Sequence, residues 1–218
     1  MYKIQFGNYN SYDDFGLYLT GLTIGEPALK TNYLNIPALD GQTDLSGVIS
    51  ANPIYDNRAI TYTFVWRSTV ETFEDEVRAI AGALHGQDMK VVHGASPFYY
   101  EGKLTVSSPT LDSLSGKATV TVSLNAFPYA LKSAITSSVF VLTSTEWVAT
   151  LTNGRMQVIP TFTLTGNNAE ATIVFKNVTV TMSAGESRFA DIIFTEGENV
   201  LTVSGSGTLT VSYREGAL

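Results

Sequence analysis

Few residues in this 218-residue chain could do chemistry, and their spacing narrows what that chemistry would be. The two histidines are His85 and His93, with Asp88 between them. Histidine is the usual general base, and Asp88 with one of many serines would complete a Ser-His-Asp set, yet no Gly-x-Ser-x-Gly elbow is present. The plainer reading puts His85 at the carboxyl end of a helix, where a cation is favoured. Glu71, Glu74, Asp75 and Glu76 could be taken for metal ligands or a glycosidase acid pair. Catalytic carboxylates flank a cleft from separate elements, whereas these suit the solvated first turns of one helix at the positive end of its dipole. Asp40 and Asp44 form a further pair that nothing singles out.

Gly205-Ser206-Gly207 evokes a phosphate loop, but it joins two strand-like runs with no helix to receive a phosphate, and reads as a hairpin turn. Asn177-Val178-Thr179 fits a glycosylation sequon inside an alternating strand pattern and is taken as chance. Phe98-Tyr99-Tyr100, with Tyr9, Tyr12 and Tyr18, could stack sugars or fill core and subunit contacts. The absence of cysteine excludes disulfides, thiolate metal sites and a cysteine nucleophile. The expectation is no catalytic, cofactor-binding or metal site.

The elements that would position these residues are mostly strands. Thr, Val, Ser, Tyr and Phe recur in short runs broken by Gly, Asn, Pro or Asp. In residues 59–66 the alternation puts Ile60, Tyr62, Phe64 and Trp66 on one face, and in 117–124 it does the same for Ala118, Val120, Val122 and Leu124. Further strands are predicted at 89–92 and 99–107, in an antiparallel sheet with one wet face. Residues 68–86 break the pattern: Val70, Phe73, Val77, Ile80, Ala81 and Leu84 recur at helical spacing. Ser68 with Glu71 forms a capping-box pair, Glu74 and Arg78 an i,i+4 ion pair, and Gly86 a stop. After 133–138, a small-residue stretch, about eight more strands follow with no helix signal, the spacing of a compact β-sandwich.

Charge narrows the partners. The chain carries 13 basic and 20 acidic residues, net −7. Residues 1–132 hold 9 basic and 13 acidic side chains, net −4, and residues 133–218 hold 4 and 7, net −3, so neither half is a basic nucleic-acid module. The amino terminus has no basic segment with an apolar h-region, and no stretch approaches the roughly 20 apolar residues of a membrane span. The expectation is a soluble, unexported product with no membrane partner.

Several local patterns, in order, resemble the distal tail protein (Dit) family of long-tailed, siphovirus-type bacteriophages. They are Asp14-Phe15-Gly16-Leu17, then Ile36-Pro37-Ala38-Leu39-Asp40-Gly41 leading to Tyr55-Asp56-Asn57-Arg58-Ala59-Ile60, and the helix. Tyr99-Tyr100-Glu101-Gly102-Lys103-Leu104 and Ala126-Phe127-Pro128-Tyr129 follow. The second half adds Ile159-Pro160, Glu196-Gly197-Glu198-Asn199 and a closing hairpin through Tyr213-Arg214-Glu215. The resemblance implies a mainly β chain of two domains: a tail-tube-like, ring-forming domain with one α-helix at 1–132 and a galectin-like β-sandwich at 133–218. It implies a homo-hexameric ring at the distal end of the tail tube, joining the tube to tail-tip or baseplate proteins. DNA would pass through the lumen without specific binding. The product would be a virion component of the tail tip, assembled in the host cytoplasm, with no enzymatic step and no cofactor. The turn-rich segment 39–57, with Asp40, Gly41, Gly47, Asn52 and Pro53, is the candidate arm reaching a neighbouring copy. The alternative is a carbohydrate-binding or adhesin module recognising a cell-wall glycan; a third reading, a jelly-roll hydrolase, would need a site at His85 or His93.

Overall fold

Alternating side chains bury one face of each strand, and the first half of the chain builds its core this way. The computed structural model describes residues 2–38, 40–46 and 52–218, in two compact units, Met1–Pro128 and Tyr129–Leu218. The fold is mainly β, as expected. The first unit contains β1 (Ile4–Phe6), β2 (Tyr9–Asn10), β3 (Tyr18–Ile24), β4 (Tyr33–Leu34), β5 (Thr43–Asp44), β6 (Arg58–Arg67), helix α1 (Phe73–Leu84), β7 (Asp88–His93), β8 (Phe98–Asp112) and β9 (Lys117–Ala126). An antiparallel sheet runs β2-β1-β7-β8-β9-β6-β3, and β4 and β5 pair separately. The predicted faces appear in the centre: Ile60, Tyr62 and Phe64 face the core, paired with Leu124, Val122 and Val120. Ile80 and Leu84 of α1 join the same cluster. The Phe6 ring meets Tyr62 edge-on at 5.5 Å.

The helix begins later than its sequence pattern suggests. Residue 72 is the N-cap and makes no side-chain capping bond, so Ser68 and Glu71 form no capping box. The Ser68 hydroxyl donates instead to the Glu76 carboxylate at 2.5 Å, and the Trp66 indole N–H donates to the same oxygen at 2.7 Å. The Trp66 ring also stacks on Phe73, 6.1 Å between centroids. This clamp ties the helix start to β6 and leaves Val70 ahead of the helix, 69% exposed rather than on its buried face. Glu76 is therefore not a purely solvated carboxylate. Burial pushes its pKa up, but the bonds from Ser68, Trp66 and Thr72 outweigh this and hold it below the ordinary glutamate value. Glu74 and Asp75 both pair with Arg78, at 2.8 and 2.6 Å, on the wet side. Gly86, at φ 76°, ends the helix as expected.

The second unit contains β10 (Ala130–Lys132), β11 (Thr136–Leu142), β12 (Trp147–Asn153), β13 (Thr161–Thr165), β14 (Glu170–Phe175), β15 (Val178–Ser183), β16 (Gly185–Ser187), β17 (Gly197–Gly205), β18 (Gly207–Tyr213) and β19 (Gly216–Ala217). Two four-stranded sheets, β11-β18-β13-β16 and β12-β17-β14-β15, form a sandwich. Phe162, Ile173, Phe194, Leu201, Val203, Leu209 and Val211 fill its core. β10 pairs with β19, and the second compact unit begins at Tyr129.

Three readings are corrected here. Gly205-Ser206-Gly207 is no hairpin turn, because β17 and β18 lie in different sheets: it is the corner where the chain crosses the sandwich. Gly205 and Gly207 sit at φ 136° and 96°, and a Cβ on either would press on a backbone carbonyl, of Glu170 and Thr165 respectively. Glycine alone allows that approach. Asn177 is not inside a strand but, with Lys176, forms the exposed β14–β15 turn between paired Phe175 and Val178. Tyr213-Arg214-Glu215 closes no hairpin. It leads from β18 into β19, and Glu215 takes an ion pair from Lys132 at 2.6 Å.

Two stability predictions follow from these contacts. Gly205→Ala should destabilise the protein by at least about 3 kcal/mol, since the strained φ and the carbonyl clash act together; denaturant melting with an unchanged midpoint would refute the corner assignment. Glu76→Ala leaves the Trp66 and Ser68 donors without their acceptor and should cost about 1 kcal/mol, with a shift in Trp66 fluorescence as the local readout.

Candidate assembly surface

A ribbon formed by residues 26–38, 40–46 and 52–56 stands out because its chemistry is incomplete within one chain. Pro27 and Pro37 on the outgoing leg and Pro53 on the returning one fix φ and bias the residues before them toward extended backbone. Lys30 N–H donates to Ile54 O and Asp56 N–H to Ala28 O, both at 2.8 Å, around an isolated bridge between Leu29 and Tyr55. Lys30 and Asp56 add an ion pair at 3.4 Å. Farther out, Tyr33 pairs with Asp44 and Leu34 with Thr43. Asn32 N–H donates to the Ser46 hydroxyl at 2.7 Å, and Ser46 N–H to Asp44 at 2.8 Å. Bonds from the Ser46 side chain and backbone hold the Asp44 carboxyl below its ordinary pKa.

The ribbon satisfies its backbone but not its side chains. Leu29, Tyr33, Leu34, Ile36 and Ile54 are 42–52% exposed. A two-stranded ribbon with uncovered apolar residues is marginal alone, and clustered apolar exposure marks an interaction surface. The expected arm, 39–57, supplies only the returning leg, and Leu39 and Gly47 lie outside the described residues. The outgoing leg, 26–36, was missed, although a Pro-bounded run holding Leu29, Tyr33, Leu34 and Ile36 could have signalled it. The neighbouring sheet edge, β3, is also partly bare, with Tyr18 and Ile24 exposed.

The candidate chemical residues do not converge. His85 Nδ1 accepts the Val106 N–H at 3.1 Å, so the ring serves a strand backbone rather than the helix carbonyls. His93 is buried, its Nε2 2.8 Å from the Tyr62 hydroxyl, and its ring packs 5.1 Å from Tyr100. Burial pushes the His93 pKa down and the Tyr62 pKa up. Among the described residues, no group of three or more His, Asp or Glu side chains gathers as a metal site. The aromatic group separates as well. Tyr99 is buried and Tyr100 lies against His93, whereas Tyr12 and Tyr18 meet edge-on at 5.0 Å in an exposed cluster where Lys3 pairs with Asp13 at 2.6 Å.

No family model matches the sequence and no curated protein matches it. The structure aligns with the Dit protein of phage SPP1, described as a paradigm of the hub adsorption apparatus in phages infecting Gram-positive hosts. The TM-score is 0.71 at 10% identity, covering 98% of this chain and 99% of that one. A chain of the phage P2 baseplate in its activated conformation aligns at 6% identity over 98% and 97%, but its TM-score of 0.44 adds no weight. The chain shares the fold of that SPP1 Dit protein.

The buried histidine gives a pH prediction. Because folding lowers the His93 pKa, the unfolded chain takes up the proton more readily. The associated stability is complete above the ordinary histidine value, about 6.5, and is lost as pH falls through the folded value. His93→Phe should flatten this part of the melting-temperature profile between about pH 7 and 5; an unchanged acid slope would contradict the assignment.

Proposed function

We propose that this chain is a structural phage tail protein, with six copies forming a ring at the distal end of the tail tube and joining it to tail-tip or baseplate proteins. The observation that carries this reading is the alignment with a phage hub protein over nearly the whole of both chains. The uncovered apolar ribbon supports it, since a ring subunit needs surfaces completed by copies of itself. We assign the ring-forming module to 1–132 and the sandwich to 133–218, a reading supported by the division into units at Pro128 and Tyr129. A net charge of −4 over residues 1–132 suits a lumen through which DNA slides without sticking. No catalytic step and no cofactor are assigned, and the product is placed in the virion tail tip after assembly in the host cytoplasm.

Electron micrographs of the purified chain, alone or with its tail proteins, should show annular particles with six-fold top views. Replacing Leu34 and Ile36 together by Asp should abolish the annuli while leaving the melting free energy within about 0.5 kcal/mol, as expected for exposed positions. Particles that persist in the double variant would remove the ribbon from the interface. A wild-type chain that forms no annulus in either setting would overturn the hub reading.

A further inference from the structure

The edge strands of the sandwich are β11 and β16 in one sheet and β12 and β15 in the other. Residues 133–153, covering β11 and β12, hold one charged residue, Glu146, and 178–187, covering β15 and β16, also hold one, Glu186, so the four edges differ in how each is individually protected. Edge strands are normally blunted by shortness, charge, proline or a bulge. β16 is three residues long and carries Glu186. β12 follows directly on Glu146, and β15 begins two residues after Lys176. β11 has none of these protections: its register with β18 runs unbroken from Thr136↔Tyr213 to Leu142↔Gly207. Val139 and Val141 on its outer face are 63% and 78% exposed.

The sequence of β11 also complements itself. If two copies meet antiparallel about a two-fold axis at Val139, Val139 faces its counterpart, Ser138 faces Phe140, Ser137 faces Val141 and Thr136 faces Leu142. Each larger apolar residue beyond the centre falls opposite a smaller hydroxyl residue, on both halves, and no like charges oppose one another. We propose that β11 is a self-pairing edge, joining the β11-β18-β13-β16 sheets of two copies into one continuous sheet. β11 itself carries no charge, the Lys132–Glu215 pair meeting it at Thr136, and the register supplies a second copy of this chain as the occupant. The pairing is independent of ring formation: it doubles whatever assembly the rest of the chain makes.

Sedimentation of the full chain tests it. Val139→Lys sets two cations face to face across the axis and should halve the wild-type particle mass, as should Val139→Glu. An equal mixture of the two variants should restore the full mass, because each Lys then faces a Glu. Variants that keep the wild-type mass, or a mixture that stays at half, overturn the proposal. Failure of the ring reading is read separately, from six-fold top views and the Leu34/Ile36 double variant, which leave β11 untouched.

Discussion

A β-sheet must stop somewhere, and its last strand leaves a row of N–H and C=O groups without sheet partners. The outer surface of this protein is organised by how each edge meets that constraint. In the first unit, β2 is two residues long, too short to template a neighbour. β3 is longer but bulges between Leu19 and Gly21, and the Thr20 hydroxyl turns back to the Thr63 carbonyl at 3.1 Å. In the sandwich, β16 is three residues long and carries Glu186, whereas β11 is seven residues long and carries no charge. An edge that a monomer would have to protect is thus left open at β11, and the apolar ribbon extends the same logic to side chains.

The interior is more nearly complete, with Arg58 Nε and Nη2 and Asn153 Oδ1 the buried side-chain atoms left without a hydrogen bond among the described residues. Each unit closes its own hydrophobic cluster, one around Tyr62, Phe64 and Phe6 and the other around Phe162, Ile173 and Phe194. Long cross-strand registers such as β6 with β9 connect the core residues without interruption. Most of the ion pairs among the described residues are exposed at both partners, as in Lys3–Asp13, Arg78–Glu74 and Arg155–Glu196, and such pairs contribute at most about 1 kcal/mol each. Lys132–Glu215 is better shielded, and it ties the start of the sandwich to its end. Stability thus rests on apolar burial and sheet bonding within each unit, which leaves the outer edges free of any stabilising duty.

Much of this was legible in local patterns. Period-two alternation found β6 and β9 and the faces they bury, because a one-residue slip would have turned Ile60, Tyr62 and Phe64 toward water. Helical spacing found α1, and Gly86 its end. The errors came where a local pattern met a nonlocal partner. Ser68 and Glu71 are spaced for a capping box, but the Glu76 carboxylate takes the serine hydroxyl, the same oxygen accepting the Trp66 indole N–H. Gly205-Ser206-Gly207 reads as a turn because sequence does not say which sheet the next strand joins; the Glu170 and Thr165 carbonyls that require glycine there lie far away in the chain. The surroundings of His93 were not legible for the same reason, since it gains its neighbours Tyr62 and Tyr100 only through strand pairing.

Low charge has a further consequence for association. Copies each carrying a net −7 repel one another, but at physiological salt that repulsion is screened beyond about 8 Å. What matters is the charge within the contact itself. A strand such as β11, which holds no charge of its own and meets the Lys132–Glu215 pair at Thr136, brings two backbones together with few ions to desolvate, and desolvation is the cost that makes buried ion pairs unprofitable. Strand pairing then adds directional hydrogen bonds in a fixed register, which an apolar patch alone does not provide. The same properties would make an uncovered edge prone to indiscriminate pairing. An edge with no charge, proline or bulge is therefore compatible with a soluble chain only when something of matching register covers it, and the serine-for-valine and serine-for-phenylalanine complementarity along β11 makes its own copy that match.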